Sequence, residues 1–238
     1  MRANFGIIKL VLALVLIGLL FGFTNQRNDL RKLQGVEVEF TDENSPFITL
    51  STVNKLLIQN NDSVTSISKE TLVLKEMESR LVQHPMVRDA QVFVTVDGEL
   101  RAKIEQRKPI GRVASFPNYY VDEDGSKMPL SKVYAARVPL ITGTSKNNFA
   151  ELKPLLLKLR EDEFMSQSVV GIHKNRDGTV ELKMRMMDFK VGFGKVKDID
   201  KKFQNFKAFY KKAKKDKTLT AYNLVNLQFG NQVVAIKK

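Results

Sequence analysis

A chain of 238 residues with 43% hydrophobic and 27% charged residues has the composition of a folded protein, and its length allows one large or two small cores. With no cysteine, disulfides, thiolate nucleophiles and zinc sites of the Cys type are excluded, so packing alone must hold the fold. The net charge of +13 suits an anionic partner, whether nucleic acid, lipid headgroup or acidic protein, and location decides among them.

Residues Phe5 to Phe23 are apolar apart from Lys9. About 19 helical residues at ~1.5 Å rise span roughly 28 Å, close to the hydrocarbon thickness of a bilayer, so this segment is a transmembrane candidate. A cleaved leader is the rival reading, but no small-x-small site follows in Gly22-Phe23-Thr24-Asn25. Arg2 and Lys9 on one side and Arg27, Arg31 and Lys32 on the other leave the orientation open. Residues 24–34 are polar and read as a juxtamembrane linker.

A first folded unit follows. Val36, Val38 and Phe40 alternate with Glu37 and Glu39, the period of a half-buried strand. Ser51 is placed to cap a helix whose Val53, Leu56 and Leu57 share one face, and Ser68 to cap a second with Leu74, Met77 and Leu81 in a stripe that Pro85 terminates. In HPMVRDAQVFVTVDGELRAKIEQRKP, a loop of only Asp97-Gly98 would set the apolar faces out of step. A three-residue loop, Val96-Asp97-Gly98, pairs Val94 with Leu100 and Val92 with Ala102. The same turn chemistry recurs at Arg176-Asp177-Gly178, predicting Ile172 opposite Leu182 and Val170 opposite Met184.

The first unit is therefore ordered strand, helix, helix, strand, strand and ends near Pro109; its arrangement is similar to that of a POTRA domain. Beyond Ile110 come a strand-turn-strand over residues 119–130, a strand near Val138 to Thr142, a helix near Phe149 to Arg160, and strands near 169–173, 180–186 and 189–193. A basic helix over 198–214 follows. It has Ile199, Phe203, Phe206, Tyr210 and Ala213 on one face, and Lys201, Lys202, Lys207, Lys211, Lys212, Lys214 and Lys215 on the rest. The end reads as a hairpin, with Val225, Leu227 and Phe229 inward, Gly230-Asn231 as a two-residue turn and Val233 to Ile236 returning. The fold class is α+β.

Catalytic patterns are thin. His84 and His173 are far apart in sequence and each reads as structural, Asp122-Glu123-Asp124 reads as a solvated turn, and Gly192-Phe193-Gly194 lacks the third glycine of a dinucleotide loop. No enzyme, cofactor, metal or small-molecule substrate is expected. The sharper feature is the terminal strand, Gln232 to Lys237. No later element exists to pair with it, so one side can present free N–H and C=O groups to a strand from another protein.

HPMVRDAQV, the DGEL hairpin, QRKPIGRV, YYVDEDGSKMPLS, VPLITG and NLVNLQFGNQVVAIK, in this order and spacing, resemble the FtsQ/DivIB family of bacterial division proteins across nearly the whole chain. The resemblance implies a cytoplasmic tail (1–4), one membrane span (5–23), a linker (24–34), a POTRA domain (35–109) and an FtsQ-type β domain (110–238). It implies a single-pass type II protein of the inner membrane, periplasmic after residue 24, located at the septum. The implied role is a non-enzymatic divisome scaffold that binds the small coiled-coil membrane proteins FtsB and FtsL, with no nucleic-acid partner. Partner contacts fall by this likeness on Phe229, Gln232, Val233, Val234, Ala235, Ile236 and Lys237, and on Phe203, Lys207 and Tyr210 of the neighbouring helix. Where relatives often carry a basic residue before the last turn, this chain has Gln228. The alternatives are a POTRA-type chaperone for envelope or secreted proteins, an envelope hydrolase and a cytoplasmic nucleic-acid binder.

Overall fold

The computed structural model describes residues 5–29, 35–42, 46–58, 74–143, 149–230 and 232–238. Helix α1 (Phe5–Asp29) is longer than its apolar stretch, because residues 24–29, read as linker, continue the helix. Its described side chains from Lys9 to Thr24 are all exposed. Among the described residues no helix is long and apolar enough to cross a membrane.

The chain divides into two compact units, Met1–Gln106 and Arg107–Lys238. In the first, strand β1 (Gly35–Phe40), helices α2 (Leu50–Ile58) and α3 (Leu74–Gln83), and strands β2 (Val87–Val94) and β3 (Glu99–Gln106) form a three-stranded sheet of order β1-β3-β2. β1 runs parallel to β3, and β2 antiparallel to it. The predicted register of the hairpin holds, with Val94 opposite Leu100 and Val92 opposite Ala102. Thr95 N–H donates to Glu99 O, and Gly98, at φ 94°, takes the positive-φ position that a three-residue loop requires. Val53, Leu57, Met77 and Leu81 are buried with Val92, Leu100, Ala102 and Ile104, so the two helical stripes cover one face of the sheet.

The caps differ from expectation. Thr49, not Ser51, starts α2, its Oγ1 accepting from Thr52 N–H at 3.2 Å, while Ser51 is exposed within the helix. Ser68 lies outside the described residues. Sequence periodicity gave no hint of Gln106, which is buried. Its side-chain oxygen accepts from Phe47 N–H at 2.8 Å and Ile48 N–H at 3.3 Å, satisfying donors that precede α2.

The second unit is a nine-stranded mixed sheet. Its strands are β4 (Pro109–Val113), β5 (Tyr119–Asp122), β6 (Lys127–Pro129), β7 (Leu140–Thr142), β8 (Val169–Lys174), β9 (Val180–Met184), β10 (Lys190–Gly194), β11 (Tyr222–Asn226) and β12 (Val234–Lys237). They lie in the order β12-β11-β10-β9-β8-β7-β4-β5-β6. β4 is an element the sequence reading did not assign; its leading Pro109 is tolerated because a first strand position need not donate to the ladder. Asp122 is not a solvated turn residue. It is buried and accepts from Ser126 N–H at 2.6 Å, Asp124 N–H at 3.0 Å and Arg107 at 2.7 Å, tying the β5–β6 turn together.

At the second hairpin Ile172 faces Leu182 as expected, but Met184 faces Val169, not Val170. A bulge inserts Val170 between Val169 and Gly171 and keeps Val169 in the core. Helix α4 (Lys153–Glu161) begins later than the sequence suggests, with Pro154 in its first turn, where the missing N–H costs nothing. A further helix, α5 (Glu163–Ser168), is started by Asp162, whose carboxylate accepts from Met165 N–H at 3.0 Å. Helix α6 (Ile199–Lys215) completes the layer. Leu155, Leu156 and Leu159 of α4, Met165 of α5, and Phe203 and Phe206 of α6 share one core with Ile141, Ile172, Leu182, Val191 and Val225 of the sheet.

Candidate functional site

β12 occupies one edge of the large sheet, and among the described residues it pairs with β11 alone. The connection before it is longer than a two-residue turn. The register sets Val225 opposite Ala235 and Asn226 opposite Val234, whereas a Gly230-Asn231 turn would set Val225 opposite Ile236. β11 ends early because the Asn226 side chain accepts from Gln228 N–H at 2.9 Å, bending the chain. Phe229 consequently lies outside the strand and is 47% exposed rather than directed inward; Asn231 lies outside the described residues.

Two hydrogen bonds decide which backbone groups face the open side. Lys238 N–H donates to Ala221 O at 2.9 Å. Alternate residues of a strand direct their N–H and C=O to the same side, so Val234 and Ile236 also point to β11. On the other strand Leu227 N–H donates to Gly192 O at 2.8 Å, which turns Val225 toward β10 and leaves Leu224 and Asn226, the residues opposite Ile236 and Val234, facing β12. Ala235 and Lys237 therefore carry the N–H and C=O groups on the free edge.

Side chains divide perpendicular to this. Val233 and Ala235 pack against the core, while Val234 and Ile236 are 37% and 51% exposed on the face away from it. The terminal ribbon thus offers hydrogen-bonding groups along its edge and, with Phe229, three apolar side chains beside them. Gln232 and Lys237 are exposed.

The α6 residues are distributed differently from the sequence reading. Phe203 is buried, its ring centroid 6.1 Å from that of Phe193, and no partner reaches it in the folded unit. Lys207 and Tyr210 face α5. Lys207 Nζ donates to Asp162, and the Tyr210 ring lies 5.1 Å from Phe164. Burial pushes the Asp162 carboxyl up, but hydrogen bonds from Lys207 and Met165 outweigh it and hold its pKa below the usual value. The α6 side chains toward β11 and the turn before β12 are Phe209, 5.2 Å from Tyr222, and Asn205, whose Nδ2 is 3.5 Å from Gly230 O.

Lys202, expected on the solvated face, is 6% exposed. Its ammonium donates to Phe193 O at 2.9 Å and Lys195 O at 2.8 Å and lies 4.4 Å from the Phe193 ring centroid, so the buried charge is met by two carbonyls and an aromatic face. Burial lowers its pKa. A folded pKa below the unfolded one means that the folded state binds fewer protons between the two values, so stability rises with pH there. Lys202→Met should cost about 2–3 kcal/mol at neutral pH by withdrawing a charged donor from two carbonyls. The gap between parent and variant should widen toward pH ~10, as urea titrations at the two pH values would read.

The histidines have local partners: His84 Nδ1 accepts from Met86 N–H at 3.3 Å, and His173 Nδ1 is 2.8 Å from Thr142 Oγ1. Among the described residues no group of His, Asp and Glu is placed to hold a metal ion.

A three-stranded unit covered by two helices, followed by a mixed sheet whose last strand is open, defines a two-unit protein of the α+β class. Comparison with known families matches residues 31–105 to the POTRA-like domain and residues 108–236 to the family described as FtsQ/DivIB, C-terminal related. The second match covers more than half of the chain, and the protein belongs to the FtsQ/DivIB family. These domains point to a scaffold in bacterial cell division that works through protein–protein contacts. Among curated proteins no match to the chain is found.

Proposed function

We propose that the protein is a non-enzymatic, membrane-anchored scaffold of the divisome that binds FtsB and FtsL, taking up a partner strand along the open edge of β12, for septal cell-wall synthesis. The observation that carries this reading is the direction of the Ala235 and Lys237 backbone groups. Four such groups, at about 0.5–1.5 kcal/mol net per hydrogen bond, supply roughly 2–6 kcal/mol. A micromolar complex needs about 8 kcal/mol, so side chains must contribute as well. Val234, Ile236 and Phe229 are exposed beside the edge to do so.

Residues 1–4 form the cytoplasmic tail and 5–23 the span of a type II inner-membrane protein, with the linker 24–34, the POTRA domain 35–109 and the β domain 110–238 in the periplasm. The apolar run Phe5 to Phe23 supports the anchor. A photo-crosslinking residue at Ile236 of the full chain, in membranes containing the division proteins, is expected to trap FtsB or FtsL. The same residue at Lys127, on the opposite edge strand β6, is expected not to. Adducts from Lys127 alone, or from neither position, would defeat the proposal.

A further inference from the structure

The charge excess belongs to one unit. Residues 107–238 hold 27 Lys and Arg against 13 Asp and Glu, while residues 1–106 hold 12 against 13. Part of the excess lines a groove of about 510 Å³ between α5 and α6. Phe164 and Tyr210 form its floor, and Lys207, Lys211, Lys214 and Lys215 its rim. Lys207 is engaged by Asp162, whereas Lys211, Lys214 and Lys215 are exposed and have no carboxylate partner among the described residues. Like charges three and four positions apart on a helix repel, and Lys211 has Lys207, Lys214 and Lys215 at those spacings on α6.

We propose that this groove binds an acidic peptide segment of another protein, carboxylates meeting Lys211, Lys214 and Lys215 and an apolar side chain resting on Phe164 and Tyr210. Charge complementarity selects an anionic occupant, and the aromatic floor selects one with apolar side chains. A lipid surface fits less well, because no large apolar side chain of α5 or α6 is among the exposed ones, so neither helix has a residue free to insert into a bilayer. The groove is separate from the terminal ribbon: α6 turns Phe209 and Asn205 toward β11 and Gly230, and Tyr210 and Lys207 toward α5. Two partners, or two segments of one partner, can therefore be held together.

The test uses the full chain in detergent micelles and a fluorescent twelve-residue probe of glutamates around a central Leu-Phe pair, read by anisotropy. Lys211→Ala/Lys214→Ala should weaken binding at least about tenfold, and the charge-matched Lys201→Ala/Lys212→Ala by no more than about twofold. Exchanging the Leu-Phe pair for serines should also weaken it. Ala235→Pro, which alters the β12 edge, should leave probe binding unchanged, so failure here is distinguishable from failure of strand capture. Equal losses from the two double variants would mean unspecific attraction and overturn the site. So would an absence of probe binding by the parent chain.

Discussion

Ala235→Pro is expected to reduce the proposed capture of FtsB and FtsL by the full chain by about ten- to a hundredfold while leaving the terminal ribbon folded. Proline removes the outward N–H of Ala235 and places a ring where an incoming strand would lie, at a cost of about 1.4–2.7 kcal/mol in binding. The bonds between β12 and β11 survive, because they use Val234, Ile236 and Lys238. An edge position whose N–H faces away from the sheet is where a strand accommodates proline. Ile236→Pro is the counterpart: it removes an N–H directed at β11, so it should loosen the ribbon itself and lower thermal stability as well as binding. Titration of immobilised parent and variant chains, with melting curves alongside, separates the two effects. Unchanged binding by a folded Ala235→Pro chain would exclude strand addition at this edge.

The largest expected loss of stability is at Gly143. At φ 75° it occupies the left-handed region, and a Cβ added there would lie 2.1 Å from Lys174 O and 3.0 Å from the His173 ring. The conformation costs about 1–2 kcal/mol for a residue with a side chain, and the clash adds more because its partner is backbone, which cannot swing aside. The consequence extends beyond the turn. β7, which Gly143 follows, is three residues long and joins β4-β5-β6 to the strands from β8 to β12, with parallel pairing on both sides. Gly143→Ala should cost about 3 kcal/mol or more and lower the melting temperature by roughly 10 °C. Gly125→Ala is the control: φ is 84°, but nothing lies within 4 Å of the added carbon, so only the backbone cost of about 1–2 kcal/mol applies. Equal losses at the two glycines, followed by circular dichroism, would show that the contact with Lys174 is unimportant.

What was legible before the structure was local. The Val94–Leu100 register follows from alternation and from one glycine able to take positive φ, both within thirteen residues of chain, Val92 to Ile104. Phe203 and Phe206 were readable as buried because helical period alone places them on one stripe. Lys202 was misread for the same reason: periodicity assigns lysine to solvent, and only the arrival of Phe193 O and Lys195 O at its ammonium makes burial tolerable. Phe229 was misread because alternation was continued past Asn226, where a side-chain hydrogen bond ends the strand.

By itself the sequence determined the order of most of the elements, though not β4 or α5, the faces most of them bury and the turn chemistry of two hairpins, since these depend on neighbours a few residues apart. Only the tertiary structure decided that β11 enters the sheet parallel to β10, that β12 is left at the edge, and that Ala235 and Lys237 rather than Val234 and Ile236 turn their backbone outward. Periodicity reports which side of a strand is apolar. It carries no information on which strand lies alongside, because that choice is made by backbone hydrogen bonds between segments far apart in the chain.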